Sequence, residues 1–267
     1  MKKKYLFLTV MLLSTLIYSC KKNTIRIIDQ KVDGSTAQIK YFNFGVNAPS
    51  INFYANGVKV SATSSATGVE SKSGTVYGGV FPSLNYSLIA GGTYTFKGQI
   101  PSTATTDADL AILSLSGTVE NGKYYSFYAC GLYNTTAKTS DAFMVEDKLP
   151  AIDTTVAYVR FVNTIPNAPS DLGLYAKNTT TLTETTVATS IAYKTASDFV
   201  SVPVGFYELY ARYPAAPTVN VISRNSTTNG AVSFVGGKVY TIGARGDITV
   251  VSSTAANRPL LDNTPNR

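Results

Sequence analysis

Histidine is absent from the 267 residues. This removes Ser-His-Asp and Cys-His catalysis and histidine-ligated metal sites together. Carboxylates, one internal thiol and many phenols remain. The tightest acidic pair within a domain is Asp107-x-Asp109, on a loop ahead of an apolar strand. Such a pair could give a Ca²⁺ ion two of the roughly six to eight oxygens it takes. No EF-hand pattern surrounds it, so a solvated turn is expected and no metal is assigned. Glu146-Asp147 closes a strand at a linker and reads as a solvated acidic run. A glycosidase needs two carboxyls held apart across a cleft, and spacing alone assigns no such pair. Cys130 has no histidine to activate it, only a Lys or Arg that could lower its pKa. It is expected to be a structurally unimportant residue on an outward strand face, without a redox role. No Walker motif and no dinucleotide fingerprint occurs. No catalytic residue and no cofactor is assigned, and the chain is read as a non-enzyme. Asn43 and Asn163 each precede an Asn-Ala-Pro turn and are expected to bond turn backbone. Tryptophan is absent and tyrosine numbers 18. Tyr128, Tyr133 and Tyr210 are placed on outer faces, where they could line a flat glycan or protein surface.

The other cysteine stands at a different kind of position. Lys2, Lys3 and Lys4 precede a thirteen-residue apolar run, Tyr5 to Ile17, which ends in Ser19-Cys20. The run is too short for a spanning helix, which needs about 20 residues. A charged start, an apolar stretch and a small residue before a lone cysteine resemble a bacterial lipoprotein signal. The resemblance implies cleavage before Cys20 and acylation of its thiol and new amino end. Two or more acyl chains anchor stably where one does not. Residues 1–19 are therefore expected to be a signal peptide, and 20–36 a lipidated polar tether in which Ile25, Ile27 and Ile28 could form a short strand. Cleavage removes three lysines, leaving 23 − 3 = 20 basic against 16 acidic residues. The rest of the basic charge is scattered, so no nucleic-acid partner is expected. With Cys20 lipidated, Cys130 has no intrachain disulfide partner.

The elements that must carry these residues are legible because they occur twice. Residues 37–55 read AQIKYFNFGVNAPSINFYA and residues 157–176 read AYVRFVNTIPNAPSDLGLYA. Six of the first fourteen aligned positions are identical, and Ile39/Val159, Lys40/Arg160 and Tyr41/Phe161 are conservative exchanges. A long period of this kind means two copies of one domain. The chain is only 15% charged and rich in Tyr, Ser, Thr and Gly, which suits strands. Strands are predicted over 39–44, 51–55, 58–60, 86–89, 93–99, 110–119 and 124–131, with a hairpin turn at Asn56-Gly57. Domain 1 is bounded at 37–147, a linker at 148–156 and domain 2 at 157–263. Counting from Gly131 to Phe143, and from Gly246 to Pro259, predicts that Pro259 to Asp262 forms the last strand of domain 2.

Comparing the copies assigns faces, since strand side chains alternate. Tyr94/Tyr207, Phe96/Leu209 and Gly98/Ala211 stay apolar or small, and are read as core. Tyr125/Tyr240, Phe127/Ile242 and Ala129/Ala244 are read the same way. Thr95/Glu208 and Gln99/Arg212 accept charge and are read as outer. Cys130 aligns with Arg245, which places it outside the core. The architecture expected is all-β, with two tandem Ig-like or transthyretin-like antiparallel β-sandwiches.

The pattern Ala-x-Ile/Val-Lys/Arg-Tyr/Phe-x-Asn, then Asn-Ala-Pro, a short strand ending in Tyr-Ala, and later Val202-Pro203-Val204-Gly205-Phe206-Tyr207, resembles the bacterial domain of unknown function 4397. The resemblance spans nearly the whole chain after the leader, in two copies. It implies exported β-sandwich domains, often in tandem, and brings no catalytic residues. Its motifs mark strands and turns, not chemistry. Asp171 stands where that family often has an acidic residue, and the first copy has Asn52 nearby instead. Asp153-Thr154-Thr155 in the linker also resembles an O-glycan acceptor of exported bacterial proteins.

The function expected is that of a non-catalytic, lipid-anchored cell-envelope protein at the outer membrane, held there through Cys20. It would act as an adhesion, scaffold or ligand-presenting module, with no ligand residue assigned. The alternatives are an accessory glycan-binding lipoprotein, a pilin-like subunit processed at Arg26, and a carboxylate hydrolase. A glycan or a protein is the ligand class in view.

Overall fold

The computed structural model describes residues 34–62, 66 and 72–267. The expected signal peptide, Cys20, Arg26 and Ile25–Ile28 lie outside the described residues. Those described fall within one compact unit, and every regular element among them is a strand.

The first repeat holds β1 (Thr36–Asn43), β2 (Asn52–Ala55), β3 (Val58–Lys59), β4 (Gly79–Phe81), β5 (Ser87–Ala90), β6 (Gly92–Gln99), β7 (Ala111–Val119), β8 (Tyr124–Asn134) and β9 (Thr139–Glu146). The second holds β10 (Val156–Asn163), β11 (Leu172–Asn178), β12 (Glu184–Ile191), β13 (Thr195–Ala196), β14 (Val200–Pro203), β15 (Gly205–Arg212), β16 (Asn220–Arg224), β17 (Val232–Phe234), β18 (Val239–Arg245) and β19 (Leu260–Pro265). Asn56 and Gly57 both take positive φ, at 48° and 80°, as a type I′ hairpin turn requires. The three-residue β4 escaped the sequence reading because Gly-Val-Phe is too short to show alternation.

Each repeat folds into two sheets. In the first, one sheet runs β4-β1-β8-β9 with β5 also on β1, and the other runs β3-β2-β6-β7. In the second, β13-β10-β18-β19 with β14 on β10 faces β12-β11-β15-β16 with β17 on β15. The expectation of purely antiparallel sheets is corrected here. β1 lies parallel to β8 from Gln38↔Tyr124 to Asn43↔Ala129, and β10 lies parallel to β18 from Tyr158↔Val239 to Asn163↔Ala244. No hairpin joins the members of either pair, and the chain crosses to the other sheet between them, so turn geometry does not force opposite directions.

The faces assigned from the repeat hold. Ile39, Tyr41, Phe53, Phe96, Tyr125, Phe127 and Ala129 fill the core between the sheets of the first repeat. Val159, Phe161, Leu174, Tyr207, Leu209, Tyr240, Ile242 and Ala244 do so in the second. Leu260 and Leu261 are buried on the closing strand, which runs through Pro265 and is followed by buried Asn266. The boundary expected at 263 therefore falls inside β19.

A third cluster corrects the reading of Cys130. Phe42, Phe44, Tyr128, Cys130 and Phe143 of the first repeat pack with Val162 of the second. These side chains do lie on the outward face of their sheet, but that face is covered by the outward face of the β10–β18 sheet. Face assignment was right, and the inference from outward to exposed was not. The four sheets thus stack in the order β2/β6, β1/β8, β10/β18, β11/β15, with an apolar core inside each repeat and a central layer that is apolar only in part. Gly243 permits the close approach: a Cβ there would stand 2.7 Å from the buried Phe44 ring.

Candidate functional site

The buried charged residues, Lys40, Asp147 and Arg160, lie in that central layer. Lys40 and Arg160 occupy the same position of β1 and β10, each mid-strand among apolar neighbours, and both are buried. The parallel ladders set Lys40 beside Ser126 and Arg160 beside Thr241. The residue after β9 is Asp147 and the residue after β19 is Asn266, equivalent because Glu146 pairs with Tyr125 as Pro265 pairs with Tyr240. Tyr86 and Phe199 precede β5 and β14 in matching register. Four positions from each repeat therefore converge on one interior.

Asp147 is its hub. One carboxylate oxygen is ion-paired with the Arg160 guanidinium. The other accepts from Tyr86 Oη at 2.6 Å and Ser126 Oγ at 2.7 Å. Arg160 Nε donates to Thr241 Oγ1 at 2.9 Å, and Thr241 Oγ1 donates to Asn266 Oδ1 at 2.7 Å. Asn266 Nδ2 returns across the interface to Tyr86 Oη at 2.6 Å. The Arg160 guanidinium lies 4.8 Å from the Phe199 ring centre, and Lys40 Nζ lies 5.4 Å from that of Tyr86. Burial opposes the charge of Arg160, but Asp147 more than offsets it, and its pKa rises. Lys40 has no such partner. Its Nζ donates to Pro82 O at 3.2 Å, and burial lowers its pKa to about 8 against the partial support of Asp147.

A buried ion pair whose lone pairs and protons are this fully used is held in place by what its loss would cost. Removing one member strands the other charge, at roughly 3–5 kcal/mol. Asp147 was read as part of a solvated run, and that reading is overturned: it is 1% exposed. The signal that could have found the network was a basic residue centred in an apolar strand in both copies.

The remaining candidates are not brought together. Asp107, at positive φ, accepts from Lys138 Nζ at 2.7 Å, and Asp109 stands exposed beside it. Among the described residues no three Cys, Asp or Glu side chains gather as a metal site would. Cys130 is buried, its thiol pushed up to about 12 by burial, and its Sγ lies 3.5 Å from Tyr193 Oη of the second repeat. Asn43 Nδ2 donates to Thr75 O at 2.8 Å and Asn163 Nδ2 to Ile191 O at 2.9 Å, so the amides tie down distant segments. The expected bond to the Asn-Ala-Pro turn is found only as the longer 3.5 Å contact of Asn43 Nδ2 to Pro49 O. Asp171 accepts from Ser190 Oγ at 2.7 Å, and Asn52 is buried in the first repeat. Asp153 is capped by Thr155 within the exposed linker.

Of the three tyrosines expected on outer faces, Tyr128 is buried in the central layer and Tyr133 packs against the first core. Tyr210 alone lies on an open face. It pairs across the sheet with Tyr175, and the Arg212 guanidinium lies 4.4 Å from the Tyr175 ring and 5.7 Å from the Tyr210 ring. Glu184 holds Arg212 through both guanidinium nitrogens, at 2.7 and 2.6 Å. The first repeat carries Tyr54, Lys97 and Gln99 at the matching positions and forms no such stack. A depression of about 460 Å³ lies between the Pro49-Ser50 turn and the Ile100–Thr106 loop, and no carboxylate is among its lining residues.

Two repeats of paired β-sheets, joined through a polar interior, define an all-β tandem module. The chain belongs to the family described as Domain of unknown function (DUF4397), whose profile matches residues 37–172. That match runs from the first core residue of β1 through the linker to the start of β11. A search of the curated proteins matches none. Among solved structures, the Bacillus anthracis TIE protein is similar at a TM-score of 0.21 and 11% identity, over 79% of this chain and 34% of that one. The chain thus spans about a third of that protein's length.

Proposed function

We propose that this chain is a non-catalytic, lipid-anchored cell-envelope protein whose two Ig-like or transthyretin-like β-sandwiches form one stiff ligand-presenting or adhesive body. The observation that carries the reading is the Asp147–Arg160 network. It commits two buried opposite charges, Asp147 and Arg160, to joining the repeats, and leaves the outermost sheet faces free for contact. Asp147 is buried and faces three side-chain donors at 2.7 Å or closer, which supports a structural role for it over acid–base work. Residues 1–19 supply the export signal and Cys20 the anchor to the outer membrane. The scattered basic charge argues against a nucleic-acid partner. The anchor is tested by detergent-phase partitioning of cells expressing the full chain. Wild type is expected in the detergent phase and Cys20→Ala in the aqueous phase; a Cys20→Ala protein that still partitions with detergent refutes it.

The Tyr175–Arg212–Tyr210 stack favours a glycan as the ligand, because half-exposed aromatic rings beside charged hydrogen-bonding groups suit sugar faces and hydroxyls. Affinity-gel retardation on a panel of polysaccharides tests this. Retardation lost in Tyr175→Ala and Tyr210→Ala supports it, and no retardation on any polysaccharide counts against it.

A further inference from the structure

The two copies treat one sheet edge differently. In the second repeat the strand pairing the far side of β15 is broken into β16 and β17. The segment between them is a tight turn built on Asn225, whose Oδ1 accepts from Thr227 and Thr228. Arg224 is drawn to Gly230 O and to Leu261 O of β19. In the first repeat the same place holds β7, nine unbroken residues reading AILSLSGTV without a charge or a proline. Its one irregularity, opposite Gly98 and Gln99, lies at its start.

Natural edge strands are kept from pairing by charge, proline, bulges or brevity. Among the described edges, β3, β4 and β13 are two or three residues long, β12 carries Glu184 and two register shifts, β9 carries Asp141 and Glu146, and β19 carries Asp262 and Pro265. β7 has none of these devices beyond its first residues.

The ladder fixes which groups face outward. Thr95 exchanges bonds with Asn56 on the β2 side, its N–H reaching Asn56 Oδ1 and its carbonyl accepting from Asn56 N–H. Its β7 partner Ser116 therefore sits at a pair with no hydrogen bond to β6, and by alternation so do Ser114 and Thr118. The N–H and C=O groups of Ser114, Ser116 and Thr118 point away from β6, and the three residues are exposed. β9, in the adjoining sheet, pairs only with β8 and packs against the inner side of β7, where its Met144 lies over Gly117.

We propose that β7 is an association edge and that its occupant is β7 of a second copy, paired antiparallel about Ser116. In that register Ser116 meets Ser116 and Ser114 meets Thr118 twice, each a hydrogen-bonded pair. Hydroxyl side chains oppose one another on the outer face, an arrangement that stabilises cross-strand pairs. On the inner face Leu115 meets Gly117 and Leu113 meets Val119. The strand is complementary to itself and no charge opposes a like charge, as a two-fold interface requires. A single strand pair buries little area, so the dimer is weak and concentration-dependent.

Single-cysteine variants of the chain lacking residues 1–20, made at 114, 116 and 118 and oxidised with copper–phenanthroline, test the register. Facing Cα atoms stand about 5.5 Å apart in such a pair, within the roughly 4.4–6.8 Å a disulfide spans. Ser116→Cys should cross-link at least about tenfold faster than Ser114→Cys or Thr118→Cys, while the double variant at 114 and 118 should cross-link as fast as Ser116→Cys. Cys130 is buried and makes no background. In sedimentation, wild type should dimerise with rising concentration, Ser116→Ala should do the same, and Ser116→Pro should stay monomeric. That proline removes only an outward N–H, and an unchanged far-ultraviolet spectrum would show that the fold persists. Equal cross-linking at all three positions, wild type monomeric up to about 1 mM, or a Ser116→Pro dimer would each overturn the proposal.

Discussion

Lys40 is a buried amine without a carboxylate of its own, and this makes stability depend on pH in a defined direction. Its pKa falls from 10.5 to about 8 in the folded chain, first through burial and only partly restored by Asp147. The unfolded chain therefore holds a proton between these values that the folded chain has released. Stability rises with pH across that window and is lost as pH falls to about 8. Each pH unit inside it is worth up to about 1.4 kcal/mol, so the full term is about 3 kcal/mol, of which about 1.5 kcal/mol appears between pH 8 and 9.5. The charged groups sharing that interior with Lys40 are Arg160 and Asp147, which are paired with each other. Buried Tyr86 and Tyr128 have raised pKa values, chiefly by burial; such phenols withdraw stability only as pH passes about 10, which sets the upper limit of the assay. Urea unfolding of wild type and Lys40→Met at several pH values from about 7 to 9.5 isolates the term by difference. The Lys40→Met advantage should shrink by about 1.5 kcal/mol between pH 8 and 9.5. A difference constant within about 0.3 kcal/mol over that range would refute a depressed Lys40.

Other consequences follow from single contacts. Tyr41 has a buried hydroxyl with no hydrogen-bond partner, and the second repeat places Phe161 at the same position. Tyr41→Phe should therefore stabilise by about 1 kcal/mol in urea unfolding. Gly243→Ala drives a Cβ into the Phe44 ring and should destabilise by about 1–3 kcal/mol by the same measurement. The Cys130 thiol should resist labelling by a maleimide in the native chain at neutral pH and react once urea unfolds it, because its pKa is pushed up to about 12 by burial.

Much of this architecture was legible in the sequence because the chain carries its own comparison. Phe96/Leu209 and Phe127/Ile242 revealed inward faces by staying apolar while their neighbours changed. Asn56-Gly57 revealed a turn through its need for positive φ. The spacing from Gly131 and Gly246 located β19. The repeat could not reveal how one copy meets the other. An outward face and an exposed face look alike within a single domain, so Cys130, Tyr128 and Asp147 were all placed in water. Lys40 and Arg160 carried the missing information. A cation among apolar residues must either be exposed or be paired, and its recurrence in both copies pointed to a shared interior. The parallel pairing of β1 with β8 was hidden for another reason: residues more than 80 apart specify it, and no turn records the direction.

The central claim is that the repeats form one body through Asp147 and Arg160. A double-mutant cycle with Asp147→Leu, Arg160→Met and the double variant, read by urea unfolding, tests it most directly. Each single change should cost about 3–5 kcal/mol by stranding a buried partner, and the double variant should recover most of that loss. The coupling should then exceed about 2 kcal/mol. Single changes costing less than about 1 kcal/mol, adding within about 0.5 kcal/mol, would contradict the claim.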